Sequence, residues 1–147
     1  MIQIETISLT FWNDIHQIPV FYESWKDQEM SQPQKRIYQK FQTTLSSIVT
    51  QFTVALEQYY FNTANYSWAK ELFNHINHYI HLDYIEIVGE SEVGMRFYFS
   101  CIFDQGYHIC VTMNDKTITH VERDRYKILE EVKRCEEKKS KSLEKKN

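Results

Sequence analysis

Between Met95 and Met113, apolar residues fall on alternate positions of two consecutive stretches. Met95, Phe97, Phe99, Cys101 and Phe103 lead into Asp104-Gln105-Gly106, and Tyr107, Ile109, Val111 and Met113 follow. A period of two over this length marks β-strands, whose successive side chains point to opposite faces. One face of the hairpin is almost wholly apolar, so the fold must supply a second layer to cover it. Asp104-Gln105-Gly106 reads as a three-residue loop with Gly106 in the left-handed region. That loop sets Phe103 opposite Tyr107, Cys101 opposite Ile109, Phe99 opposite Val111 and Phe97 opposite Met113. A two-residue loop would place Phe97, Phe99 and Phe103 against Asn114, Thr112 and His108. The apolar face therefore selects the longer loop and keeps Cys101 and Cys110 from facing each other.

The covering layer is found upstream. Ser31-Gln32-Pro33-Gln34 opens a helix: Ser31 caps the free amides, Gln34 reaches back in a capping box, and Pro33 sits where a missing N–H does no harm. Ile37, Phe41, Leu45, Ile48, Phe52, Leu56 and Tyr59 then recur every three or four residues, which predicts one continuous helix from Gln34 to Phe61. Ser67 caps a second helix, with Trp68, Leu72, Phe73, Ile76, Tyr79 and Ile80 on one face. The fold class expected is α+β: two long amphipathic helices packed on an antiparallel β-sheet, plus a C-terminal helix beginning at Arg125.

The remaining strands read as follows. Residues 2–12 alternate and form an N-terminal strand. Asn13 to Met30 reads as an irregular connection with one short strand around Pro19–Tyr22, where Pro19 suits a sheet edge. Tyr84 to Val88 and Thr117 to Val121 complete the sheet, the latter presenting either Ile118/His120 or Thr117/Thr119/Val121 inward. With 3 Gly and 2 Pro in 147 residues, long regular elements are favoured over a many-turned sandwich. Residues 1–132 are expected to form a single domain, and 133–147 a Lys-rich tail ending in a frayed helix.

Three patterns invite a chemical reading. His75, His78 and His81 are spaced for a helix face, yet three residues at steps of three drift around the axis, so solvent-facing histidines are the simpler account and zinc the rival. His108 and Cys110 lie on one side of a strand, as a thiol and base would, but no small-residue turn supplies an oxyanion site. The carboxylates of Asp83, Glu86, Glu90, Glu92, Asp104, Asp115, Glu122 and Asp124 gather at strand ends, where solvated turn formers are commonest. There is no phosphate-cradling glycine loop, nucleophile elbow or zinc-protease helix. The chain reads as a non-enzyme without cofactor or metal. The alternative is a metal-binding or thiol-dependent enzyme or sensor using His75/His78/His81 or His108/Cys110.

Charge points to the partner. Between Lys133 and Asn147 seven Lys and Arg oppose three Glu, so the tail carries +4 and residues 1–132 carry −7 of the net −3. An acidic body argues against nucleic acid, where phosphate attraction dominates, and suits a basic protein partner. The opening Met1-Ile2-Gln3-Ile4-Glu5-Thr6 has no signal-peptide character, no apolar run reaches membrane-spanning length, and three cysteines suit a reducing compartment. A cytoplasmic location is expected. Tyr98, Asp104, Tyr107, His108 and Asp115, around the hairpin, are the candidate partner-binding residues. Dimerisation through a sheet edge or the C-terminal helix is a further reading.

The segment from Leu82-Asp83-Tyr84-Ile85-Glu86-Ile87 through Phe103-Asp104-Gln105-Gly106-Tyr107-His108 to Ile118-Thr119-His120-Val121-Glu122-Arg123-Asp124 resembles a group of small bacterial domains. In them a strand ending in an aromatic-Asp pair turns into a second strand with an aromatic/His signature. The preceding Leu56-Glu57-Gln58-Tyr59-Tyr60 is similar too. Such domains usually carry an acidic residue and His-Gly after the aromatic-Asp pair, where this chain has Gln105-Gly106-Tyr107-His108. They are often encoded beside secreted or contact-delivered toxins. The resemblance implies an immunity protein: a cytoplasmic antitoxin that binds and occludes its toxin.

Overall fold

The computed structural model describes residues 1–12, 14–26, 28–60, 78–102, 104–114 and 117–125. Its elements are β1 (Ile2–Phe11), β2 (Asp14–Tyr22), α1 (Gln32–Thr43), α2 (Leu45–Gln58), β3 (Ile80–Val88), β4 (Gly94–Cys101), β5 (Tyr107–Asn114) and β6 (Thr117–Arg125). The strands form one six-stranded sheet in sequence order. Every neighbouring pair is antiparallel except β2 and β3, which run parallel over Val20–Tyr22 and Ile85–Ile87. A parallel neighbour requires a long crossover, and α1 and α2 lie on it.

This architecture corrects the expected fold class. The sheet is mixed, and the single long helix is two short ones. Thr44 breaks it with φ −115° and ψ 16°, and the Thr43 and Thr44 hydroxyls both donate to the Lys40 carbonyl. Hydroxyl side chains that compete for helix carbonyls loosen a helix at this kind of run. The apolar stripe continues across the break because Ile37, Phe41, Ile48, Phe52 and Leu56 all bury against the same sheet face. Of the expected second helix, the part from Ser67 to Ile76 lies outside the described residues, and Ile80 belongs to β3 instead. The expected C-terminal helix also lies outside them, save Arg125, which ends β6. The Asn13–Met30 connection holds a full strand, β2, and Pro19 comes just before its parallel pairing with β3 begins at Val20.

The start of α1 is as the sequence predicts. Ser31 Oγ accepts from the Gln34 amide, and the Ser31 amide donates to Gln34 Oε1 at 2.9 Å. The core is aromatic: the Phe52 ring lies 4.6 Å from Phe97 and 5.2 Å from Phe99, and Phe41 lies 5.6 Å from Phe97. The helix-facing row of the hairpin is the expected one, but its register is displaced by two residues. Phe99 pairs with Ile109, Phe97 with Val111 and Met95 with Met113. The connection from Ile102 to Gly106 is longer than three residues, with Gly106 at φ +91°. A shift of two preserves the inward face, so hydrophobicity alone does not separate the registers. Cys110 faces Tyr98, not Cys101.

Candidate functional site

The side of the sheet away from the helices carries rows of polar and aromatic residues set by register. His81 pairs with Ser100, Ser100 with His108, and His108 with Asp124. The next row is Tyr84, Tyr98, Cys110 and Glu122. Asp83 joins these rows because β3 bulges there: Leu82 pairs with Phe99 but Tyr84 pairs with Tyr98, leaving Asp83 as the extra residue. Bulges re-aim side chains in this way.

The Asp83 carboxylate is the hub. His108 Nε2 lies 2.7 Å from Oδ2, His81 Nδ1 3.0 Å from Oδ1, and Ser100 Oγ donates to Oδ1 at 3.1 Å. An ionised carboxylate only accepts, so both histidines present N–H to it. Burial pushes the Asp83 carboxyl up, but the bonds from His108, His81 and Ser100 outweigh it and hold the group below its ordinary value. The hydrogen bond to Asp83 raises His81, partly offset by burial. His108 is 1% exposed and is bracketed edge-on by Tyr84 and Tyr98, themselves stacked at 4.4 Å.

This constellation is a satisfied polar network. The Ser100 proton is directed at the Asp83 carboxylate, which is held below its ordinary value and is therefore a weak base for that hydroxyl. Burial pushes the Cys110 thiol up to about 11 despite the opposing pull of Arg96, so at neutral pH it is protonated and a poor nucleophile. Among the described residues no group of three or more His, Cys, Asp or Glu is arranged to hold a metal ion. His81 sits on a strand, contrary to the helical histidine trio; His78 precedes β3, and His75 lies outside the described residues. The His81 ring instead packs 4.9 Å from that of His16 on β2.

A second cluster occupies the loop after β4. Arg123 on β6 grips the buried Asp104 with a fork, Nη2 to Oδ1 at 2.7 Å and Nε to Oδ2 at 3.2 Å. Its guanidinium carbon lies 3.5 Å from the centre of the Tyr107 ring. The bond to Asp104 holds Arg123 above its ordinary value. Between this loop and the start of β3 is a cavity of about 500 Å³, bordered by His78, His81, Ser100, Asp104 and Tyr107.

The candidate residues from the sequence thus separate into two groups. Tyr98 and His108 meet on the outer face, with ring centres 5.8 Å apart, and both are buried. Asp104 and Tyr107 meet under Arg123, and of the four only Tyr107 is exposed. Asp115 lies outside the described residues. Sequence reasoning passed over Arg123 and the central position of Asp83. It also passed over Trp25, which sits on a surface of its own.

Trp25 is 77% exposed on a tightly fixed segment between β2 and α1. The Tyr22 hydroxyl donates to the Gln28 carbonyl, and the Gln28 amide to Ser24 Oγ. The buried Gln34 side chain donates to the carbonyls of both Glu23 and Gly89 at 2.7 Å. The turn after β3 closes the arrangement: Glu90 accepts from the Trp25 amide through Oε1 and from Ser31 Oγ through its carbonyl. Gly89 is required there, at φ +80°, where a Cβ would meet the Glu92 carbonyl at 2.2 Å. In sequence these two joined segments carry Glu23, Asp27, Glu29, Glu90 and Glu92 against Lys26.

Comparison with known proteins gives no match: no family model fits the sequence, and no curated protein or solved structure is significantly similar to it.

Proposed function

We propose that the chain is an immunity-type protein that binds and occludes a basic bacterial toxin, without catalysis, in the cytoplasm of the cell that makes both. The observation that carries the reading is Trp25, a large aromatic exposed on a segment fixed by hydrogen bonds from both sides and placed among carboxylates. Rigid aromatics supply contact area at low entropic cost and are over-represented among residues that dominate binding energy. Surrounding carboxylates speed the capture of a cationic partner and select its sign. The acidity of residues 1–132 extends the same preference. The Asp83 network supports the reading from the other side: its groups satisfy one another and so serve to fix the sheet that carries the surface. No helix among the described residues is long and apolar enough to cross a membrane.

The test is genetic and direct. The chain is co-produced with the product of a neighbouring toxin gene; growth rescue together with co-purification is the expected result. A toxin that still kills and does not co-purify contradicts the reading.

A further inference from the structure

The two edges of the sheet differ in a way that points to a partner for one of them. The β6 edge is defended: Glu122, Arg123, Asp124 and Arg125 are four charges in succession, and a bulge interrupts its pairing between Thr112 and Met113 of β5. Charges and bulges are the usual devices that keep edge strands from recruiting other strands. The β1 edge has almost none of this. Ile2–Phe11 contains no Lys, Arg, Pro or Gly, and its one charge, Glu5, accepts a hydrogen bond from the Tyr38 hydroxyl of α1. Its bulge lies between Gln3 and Glu5, so Glu5 to Phe11 run as a regular ladder with β2. On the other side of that stretch no described strand pairs.

We propose that β1 is a self-association edge, joining two copies of this chain through antiparallel β1–β1 pairing into one continuous sheet. The residue pattern is self-complementary about Ser8. Ile7 and Leu9 lie on the helix side, packed on the core and only half-buried. Thr6, Ser8 and Thr10 lie exposed on the other side. With Ser8 on the two-fold axis, Ile7 of each copy faces Leu9 of the other, so the inner apolar row continues across the junction. Thr6 faces Thr10 on the outer side, a favourable cross-strand pair. In this register Glu5 falls opposite Phe11 only at the two ends of the ladder, whereas moving the axis to Ile7 or to Thr6 would bring it inward, against Leu9 or Ile7. The pairing is isologous, as closed two-fold assembly requires, and it brings no like charges together although both bodies are acidic. A single strand pair is a small interface, so association is reversible and concentration-dependent. It is independent of toxin binding: Trp25 follows Tyr22, whose partner Ile2 lies outside the Glu5–Phe11 stretch.

Sedimentation of the full chain over roughly a hundredfold range of concentration tests this. The mass should rise from the 17.8 kDa monomer toward twice that value. Ser8→Lys places two ammonium groups face to face at the axis and should weaken association at least tenfold, with the circular dichroism of the wild type. Ser8→Thr should leave association intact. Ser8→Cys should give a disulfide-linked dimer under mild oxidation that the parent chain does not form. A chain that stays monomeric throughout, a Ser8→Lys variant that associates like the parent, or a Ser8→Cys variant that does not cross-link overturns the proposal.

Discussion

Replacing Asp83 by Asn removes one charge and leaves the shape almost unchanged. The bond to His108 is the larger loss, because His108 is 1% exposed and cannot turn to water. A hydrogen bond to a charged group contributes ~1.5–3 kcal/mol and a neutral one ~0.5–1.5. The exchange therefore loses about 1.5 kcal/mol at His108. The His81 bond adds only a few tenths, since that ring is 55% exposed and the pair is screened. Ser100 loses a charged acceptor as well, bringing the total to about 2 kcal/mol near pH 6. The pH dependence has a defined sign. Asp83 is depressed below its ordinary 3.8, so its contribution is present above that value and fades as pH falls through the depressed one. His81 is raised above 6.5, so its small contribution is complete below 6.5 and is lost as pH rises through the folded value. Urea unfolding followed by circular dichroism should show the full deficit near pH 6 and convergence of variant and parent in acid. A deficit under ~0.5 kcal/mol at pH 6 would refute the hub, since surface changes alone account for that much.

Phe97→Ala should destabilise by about 3–5 kcal/mol, because the ring is fully buried against Phe41 and Phe52 and leaves a cavity; thermal unfolding measures it. Gln34→Ala should cost about 1–3 kcal/mol and speed proteolytic cleavage between Glu23 and Ser31, because the Glu23 and Gly89 carbonyls lose their donor; unchanged cleavage would separate Gln34 from the Trp25 segment. Cys110 should resist alkylation at pH 8 in the folded chain and react once urea unfolds it, as peptide mapping reads directly.

Much of the fold was legible where local chemistry decides. The Ser31–Gln34 capping box, the alternation of β1 and the apolar face of the hairpin each depend on residues close in sequence. The helix break at Thr44 was written as a run of hydroxyl residues, but a stripe that stays apolar across it hides the interruption. The bulges are written in the sequence as slips of the apolar period. Apolar positions run even at Ile80 and Leu82 and odd at Ile85 and Ile87, a slip of one that places the extra residue at Asp83–Tyr84. The same slip between Ile118 and Val121 explains why neither assignment of the β6 inner face was complete: both residues pack on the core. The hairpin register was not legible, because registers two residues apart bury the same face. Nor was the Asp104–Arg123 fork, which joins a loop residue to a strand nineteen positions on, or the fixing of Trp25, which depends on a turn far away in sequence.

The proposed function rests on capture of a basic protein by the fixed, exposed Trp25 in its acidic setting. Calorimetric titration of the neighbouring toxin, in inactive form, with the parent chain and with Trp25→Ala tests it most directly. The variant should lose at least ~2 kcal/mol, about thirtyfold in Kd, with folding unchanged and affinity falling as salt rises. Equal affinity with and without the indole, or no binding by either chain, would contradict it.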